Sequence, residues 1–509
     1  MDPQLFRTKS IDQLISDADR PEKRLQKSLG WLSLTALGVG AIIGSGIFIL
    51  TGTAAAGETV EFPSLLKAPL LDVLMHGRHA LGAAGRPGAG PAITLSFFIV
   101  AVICGLAGLC YAELSSMIPI AGSAYTYTYA TLGELIAWII GWDLILEYAV
   151  SNMAVAVGFS AYINSLLDSF HLHIPDAWGT PAYSPQTGWT LHFNIMGFVI
   201  VMFLTVLLVV GIRESAGANT LMVGIKIVAI IIFCVAASKY IHPSNWKPFA
   251  PNGFQGVLTG GAIVFFTYIG FDSVSTAAEE CKDPKRDLPI GILVSLFICA
   301  FFYIAVALVL TGVRHWDKLG TAAPVAEALE AIGLNGVNRW VTAGALMGMI
   351  SSILVFQLGQ ARIWFAMSRD GLLPAAFSRV HKKFRTPDVA TWIAGIVVAI
   401  PAGIFDIGTL ADLSNIGTLF AFILVSVAVL ILRKRQPERP RGFRVPWTPF
   451  IPIASVVCCF VLMASLTVEN WIRFFVWLAI GLVVYHFYGR RHSSLRLANA
   501  QSGADGAPR

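Results

Sequence analysis

The sequence predicts an all-α membrane protein of about twelve spanning helices, two inverted five-helix repeats followed by two C-terminal helices. Three observations lead there. The 509 residues are 56% hydrophobic and only 13% charged, with a mean hydropathy of +0.69, far from the balance of a soluble domain. Apolar runs long enough to cross a hydrocarbon core of roughly 30 Å recur along the chain. Two of them, the first and the sixth, carry glycines and hydroxyls, the sixth an acid as well, where a helix should be continuous.

The first run extends from Trp31 to Ala56 and contains Gly40-Ala41-Ile42-Ile43-Gly44-Ser45-Gly46-Ile47-Phe48. A glycine costs about 1 kcal/mol relative to alanine inside a helix, so Gly44 and Gly46 around Ser45 invite a break. At membrane depth a break is tolerated only where the freed backbone faces protein, water or a polar ligand. The N–H groups at the start of a half-helix form a site for a carboxylate. Close packing through the small pair Gly40 and Gly44 is the competing reading of this stretch alone. The sixth run, Phe254–Ala278, holds Gly260-Gly261 and then Phe266-Thr267-Tyr268-Ile269-Gly270-Phe271-Asp272-Ser273. Interrupted spans at matching places in two halves are the best sequence pointer to a transporter's binding site.

Around these two, residues 1–30 form a polar segment in which Leu5, Phe6, Ile11, Leu14 and Ile15 alternate with charges. A short amphipathic helix on the membrane surface and a disordered tail are both compatible with that pattern. No cleavable signal peptide is expected, because no apolar core precedes Trp31. Residues 31–238 form the first repeat, with the Pro-interrupted stretch 57–90 as a long outside loop. Its later spans fall near Pro91–Glu113, Gly133–Leu167, Phe193–Gly211 and Gly217–Ser238. The second repeat, 254–432, continues with Leu288–Val313, Val337–Ser368, Val389–Phe405 and Leu410–Leu432. Pro449–Leu466 and Trp471–Tyr488 complete the set within 449–488, and 489–509 is a cytoplasmic tail. With the N-terminus inside, inner segments hold about 25 Lys and Arg and outer segments about 9, which fixes both termini as cytoplasmic in a cell membrane. The basic residues therefore mark topology, not nucleic acid. The seven cysteines lie in apolar runs or at a span end, so no disulfide framework is expected.

Charges inside the bilayer are the sharpest functional clues, since each costs at least about 2.5–3.5 kcal/mol. Lys226 stands in Gly224-Ile225-Lys226-Ile227-Val228 with no acid near it in sequence. It either snorkels to the inner surface or serves the transport cycle. Asp143 and Glu147 share a helix face in the third span. Asp143 reads as structural; for Glu147 pathway and structural roles stay open. Asp272, Glu279 and Glu280 approach the inner end of the sixth span, where Lys282, Lys285 and Arg286 are expected to neutralise them. Ser351 and Ser352 offer hydroxyls, though buried serines more often bond their own helix. No phosphate loop, nucleophile elbow or metal-ligand spacing is present, so neither enzyme chemistry, a cofactor nor a metal is expected.

Taken together these residues resemble the amino acid–polyamine–organocation transporters. Residues 40–48 are similar to the first-span motif of that superfamily. Tyr111-Ala112-Glu113-Leu114-Ser115-Ser116, Gly141-Trp142-Asp143, Phe271-Asp272, Glu279-Glu280 to Pro289-Ile290-Gly291, and Met367-Ser368-Arg369-Asp370-Gly371-Leu372-Leu373-Pro374 resemble the bacterial branch of its cationic amino acid transporter family. The likeness covers nearly the whole chain and departs at 57–90, a first outside loop longer than the family's. It implies the leucine-transporter fold and transport of an L-amino acid, usually with protons. It also implies that backbone amides around Gly44, Ser45 and Gly46 receive the substrate carboxylate, with Ile42 beside them in the substrate site. Carbonyls around Phe266, Thr267 and Ile269 would receive the ammonium, Phe271 would shape or gate the pocket, and Ile353 would line its side-chain end. Lys226, faced by Ser351, would couple protons, with Glu147 the next candidate. The leading expectation is a proton-coupled symporter working by alternating access. An exchanger without net proton coupling is the near alternative; a channel, sensor or membrane enzyme is more distant. Apolar Ile353 and Phe356 favour small or medium neutral side chains.

Overall fold

The computed structural model describes residues 7–18, 27–59, 64–77, 85–184, 188–210, 215–381 and 386–495. The early elements are α1 (Ile11–Ala18), α2 (Trp31–Ile42), α3 (Ser45–Ala56), β1 (Gly57–Thr59), α4 (Leu70–His76), β2 (Gly85–Pro87) and α5 (Ile93–Met117). They are followed by α6 (Ala124–Thr131), α7 (Glu134–Asp168), α8 (Asp176–Gly179), a short strand pair, α9 (Ile195–Val210) and α10 (Ser215–Ser238). The second half contains α11 (Gly253–Val264), α12 (Ser273–Thr276), α13 (Pro284–Val313), α14 (Pro324–Ala331), α15 (Asn335–Arg369), α16 (Asp388–Ile404) and α17 (Ile407–Arg435). The closing pair is α18 (Phe450–Ala464) and α19 (Val468–Val484).

Among the described residues, eight helical stretches are long and apolar enough to cross a membrane, and the bent pair α2 and α3 counts as a ninth. Three shorter apolar helices, α9, α16 and α18, accompany them. The chain is thus a multi-pass helical membrane protein. Burial sorts the helices by position. α7 and α15 run 35 residues each through the centre, and 83% and 78% of their apolar windows are buried, against 22% for the stretch containing α19. Exposed Phe475, Val476, Ile480 and Val483 give α19 an outward apolar face, and Leu221, Val228 and Val235 do the same for α10. Such faces suit hydrocarbon, not water.

One end of the bundle is rich in Arg369, Arg379, Arg433, Arg435, Arg439 and Arg441, and is called the basic end below. There the stretch before α2 pairs with the stretch after α12: Ser28 and Leu29 donate to the Glu280 carbonyl, and Lys282 donates back to Leu29. The acids nearby find partners other than those the sequence suggested. Glu279 lies 3.7 Å from Arg369 and Glu280 pairs with Arg362; both arginines come from α15, not from the adjacent 282–286 stretch. α1 is helical and packs against the protein. Ile11 and Leu14 are buried, Lys9 Nζ donates to Asp370 at 3.0 Å, and Arg439 pairs with Asp12. Leu5, Phe6 and the tail beyond 495 lie outside the described residues. All seven cysteines are free thiols.

The stretch 57–90 contains more order than an interrupted loop suggested. β1 and β2 pair antiparallel, Gly57 opposite Pro87 and Thr59 opposite Gly85. Ser64 caps a short turn that leads into α4.

Candidate functional site

The first break falls where the glycines placed it. α2 ends at Ile42, α3 starts at Ser45, and their axes bend by 41°. The two ends are treated differently. At the C-terminal end of α2, side chains from three other helices meet the freed carbonyls. Lys226 of α10 donates from Nζ to Gly40 O at 2.9 Å and to Ile43 O at 2.8 Å. Ser352 of α15 donates to Gly40 O at 2.7 Å, and Tyr303 of α13 donates from Oη to Ile42 O at 2.8 Å. At the N-terminal end of α3, by contrast, Gly44 is the cap residue and no side chain accepts from the first amides. The Ser45 hydroxyl is buried and has no hydrogen-bond partner. The positive end of a half-helix is therefore left open in the middle of the bundle.

The second break lies beside the first. α11 tightens into a 3-10 turn over Phe265–Tyr268, Ile269 is extended, and Gly270 has φ +121. Gly270 tolerates no side chain, because a Cβ there would stand 2.8 Å from Ala41 Cβ. Gly46 is equally close to the other segment: its Cβ would stand 2.7 Å from Thr267 Cγ2. Tyr303 Oη bonds Thr267 O at 2.7 Å as well as Ile42 O, so one hydroxyl spans both breaks. The carbonyls of Phe266 and Thr267 already accept one hydrogen bond each, from Ile269 N and Tyr303, leaving a second lone pair on each oxygen. Gly260 and Gly261, taken with the interruption in the sequence, instead lie within continuous α11. There Gly260 lets Ala89 and Ser96 approach.

Phe271 is fully buried and packs edge-on to Tyr111 at 5.6 Å and against Phe422 at 4.9 Å. Ile353 is buried on α15 beside Ser352. Among the described residues Ser351 makes no hydrogen bond to Lys226. It donates to Asn219 Oδ1 at 2.7 Å, and Asn219 reaches back to Ala36 O. Successive residues on a helix point about 100° apart, which is why Ser352 takes the role expected of its neighbour.

Toward the basic end, α7 presents Asp143, Glu147 and Tyr148, all buried. Asp272 accepts from Tyr148 Oη at 2.7 Å; among the described residues it forms no ion pair, so the expected neutralisation by Lys282, Lys285 and Arg286 is not seen. Both Glu147 oxygens, one of Asp143 and one of Asp272 lack partners, as do the amides of Asn152 and Gln360. Buried groups of this kind are normally satisfied, so these atoms stand out among the described residues. Tyr303, Asn219, Asn152 and Gln360 were not singled out from sequence, whereas Ser352 was named beside Ser351 as a hydroxyl. The available signal was a polar residue in an otherwise apolar span.

A helical membrane bundle with two adjacent broken helices and an uncapped half-helix N-terminus has the architecture of a membrane transporter. The comparisons place it further. The amino acid permease family profile matches residues 29–485. The chain is 46% identical to the branched-chain amino acid permease BcaP of Bacillus subtilis over 492 residues, covering 96% of this chain and 99% of that protein. It is 44% identical to the methylthioribose transporter of the same organism over 491 residues, with the same coverage. It is 33% identical to the chloroplastic cationic amino acid transporter 9 of Arabidopsis thaliana, over 94% of this chain and 90% of that one. The chain belongs to the amino acid permease family and is a transporter, not an enzyme.

Proposed function

We propose that the protein imports neutral L-amino acids of small or medium size, the branched-chain class foremost, by proton symport through alternating access. The observation that carries this reading is the asymmetry of the first break. Carbonyls of α2 are capped by Lys226, Ser352 and Tyr303, while the amides opening α3 have no side-chain cap. That open end attracts a carboxylate. Gly44, Ser45 and Gly46 then hold the carboxylate, Ile42, Phe266, Thr267 and Ile269 frame the ammonium, and Phe271 and Ile353 bound the side chain. The name of the Bacillus branched-chain permease and the apolar Ile353 support the substrate class. In the proposed architecture the bent pair, α5, α7, α9 and α10 form one repeat. The α11–α12 span, α13, α15, α16 and α17 form the other, α18 and α19 follow, and the basic end faces the cytoplasm.

Lys226 is the coupling group of this mechanism. As an ammonium it fastens α10 to the first break; on losing its proton it loses its charge, gains a lone pair and keeps two N–H donors, so both carbonyl contacts weaken from charge-assisted to neutral. Glu147, buried with both carboxyl oxygens unpartnered, is the next candidate. The test is uptake of labelled valine, isoleucine, leucine, lysine and methylthioribose into proteoliposomes with an imposed pH gradient and no sodium. Accumulation of the branched-chain acids with inward proton movement supports the proposal. Exchange without accumulation indicates an antiporter, and accumulation of lysine or methylthioribose alone overturns the substrate class.

A further inference from the structure

The stretch 57–90 builds one side of an ionic contact. Arg86 on β2 is 6% exposed. Its Nε donates to Glu58 of β1 at 2.8 Å, and its Nη1 donates to Asp412 in the first turns of α17 at 2.8 Å. Burial opposes the charge of this guanidinium, but Asp412 and Glu58 more than offset it and raise its pKa above the ordinary value.

The two acids belong to different bodies. β1 follows α3 directly, through Gly57 at φ +85, and Ala89 N donates to Ala54 O of α3 at 2.9 Å. β2 is equally fixed to α11: Thr259 donates to Pro87 O and Asn252 to Gly88 O, at 2.8 and 2.7 Å. The β1–β2 ribbon therefore moves with α3 and α11, the outer halves of both broken helices. Asp412 belongs to α17, which packs along α7 and α18. Beneath the ion pair the same face of α17 closes on α11 in two more layers. Asn415 donates to Ala262 O at 2.9 Å, and Phe422 lies 5.9 Å from Phe265 and 4.9 Å from Phe271.

We propose that Arg86 is the outer-gate residue of this transporter, its guanidinium latching the α3–α11 pair to α17 through Asp412 whenever the outer path is closed. This rests on the alternating-access reading above. Arg86 touches no cargo; it positions the outer half-helices. A fork that serves Glu58 and Asp412 together requires a planar guanidinium, so a lysine retains the charge but not both contacts.

The test is hydrogen exchange read by mass spectrometry on the full chain in lipid nanodiscs, with L-isoleucine as probe. Arg86→Gln should speed exchange in 45–56 and 253–264 at least fivefold and slow it in 27–42 and 273–283. The triple variant Arg86→Gln, Glu58→Gln, Asp412→Asn, which leaves no buried charge unpaired, should do the same, and Arg86→Lys should fall between. Faster exchange confined to 57–59 and 85–87 would make Arg86 a local staple and overturn the proposal. So would unchanged exchange in α3 and α11 in a variant with the wild-type melting temperature. Saturating L-isoleucine should shift outer and inner segments of the wild type in opposite senses. If it does and Arg86→Gln does nothing, the gate alone falls; if the wild type shows no opposed shift, the alternating-access reading falls with it.

Discussion

Replacing Lys226 with methionine tests coupling with little disturbance of the fold, as the magnitudes show. Two hydrogen bonds from a charged donor contribute about 1.5–3 kcal/mol each, roughly 3–6 kcal/mol together. Against this, placing an ammonium at membrane depth costs about 2.5–3.5 kcal/mol. The lysine therefore contributes a net ~0–3 kcal/mol to the resting fold. Methionine removes the burial cost and fills similar space, and Ser352 still donates to Gly40 O at 2.7 Å and Ile43 O at 3.2 Å. The expected loss of stability is under about 2 kcal/mol. The functional loss is of another order, because a methionine has no proton to give up and cannot switch the contact between α10 and the first break. Lys226→Met should insert, melt within a few degrees of wild type, and show no accumulation of isoleucine under a pH gradient. Counterflow of isoleucine without a gradient should persist at a reduced rate. The assay is uptake into proteoliposomes carrying a trapped pH dye. If Lys226→Met concentrates isoleucine with wild-type pH dependence, the lysine is structural and the coupling group lies elsewhere, with Glu147 first to examine.

Four further outcomes are expected. Tyr303→Phe removes the hydroxyl shared by Ile42 and Thr267 and should weaken isoleucine binding about tenfold, on the scale of one or two neutral hydrogen bonds, as read by calorimetry. Ser352→Ala should impair transport more than Ser351→Ala, since only Ser352 bonds the carbonyls of the break; equal effects would return Ser351 to the site. Gly46→Ala drives a methyl to 2.7 Å from Thr267 Cγ2 and should abolish binding while the protein still inserts, measured by thermal shift with isoleucine. Phe271→Ala empties a site packed by Tyr111 and Phe422 and should cost about 3–5 kcal/mol of stability, whereas Phe271→Leu should preserve the fold and lower uptake, separating gate from packing.

The sequence made the backbone legible and left its partners obscure. Gly44 and Gly270 announced the breaks because glycine disfavours a continuous helix, a local effect that composition reveals. Lys226 stood out because an ion in an apolar run is costly wherever it points. What the ion touches depends on how α10 is rotated against α2 and α15. One residue of helical phase separates Ser352, which bonds the break, from Ser351, which bonds Asn219. Tyr303 was invisible for a related reason: a tyrosine in an apolar span is ordinary until its hydroxyl is seen to reach two carbonyls. The order in 57–90 escaped notice because β1 and β2 are three residues each and pair across 25 positions that carry no strand pattern. Asp272 was assigned to Lys282 by nearness in sequence, but the chain turns, and Tyr148 from α7 is its neighbour in space.

The bridge made by Tyr303 bears on handedness. In the proposed site one break holds the carboxylate and the other the ammonium, and a single hydroxyl sets the separation of the two segments. With those two groups fixed, the α-carbon between them has two remaining directions. In that site one would lead to Ile353 on α15 and the other to the backbone of a break. A mirror-image amino acid could keep its charges in place only by turning its side chain into peptide groups. Selection of the L form would then be a property of the main chain, common to every side chain the pocket admits. A substitution at Ile353 would change which amino acid is carried without changing its hand.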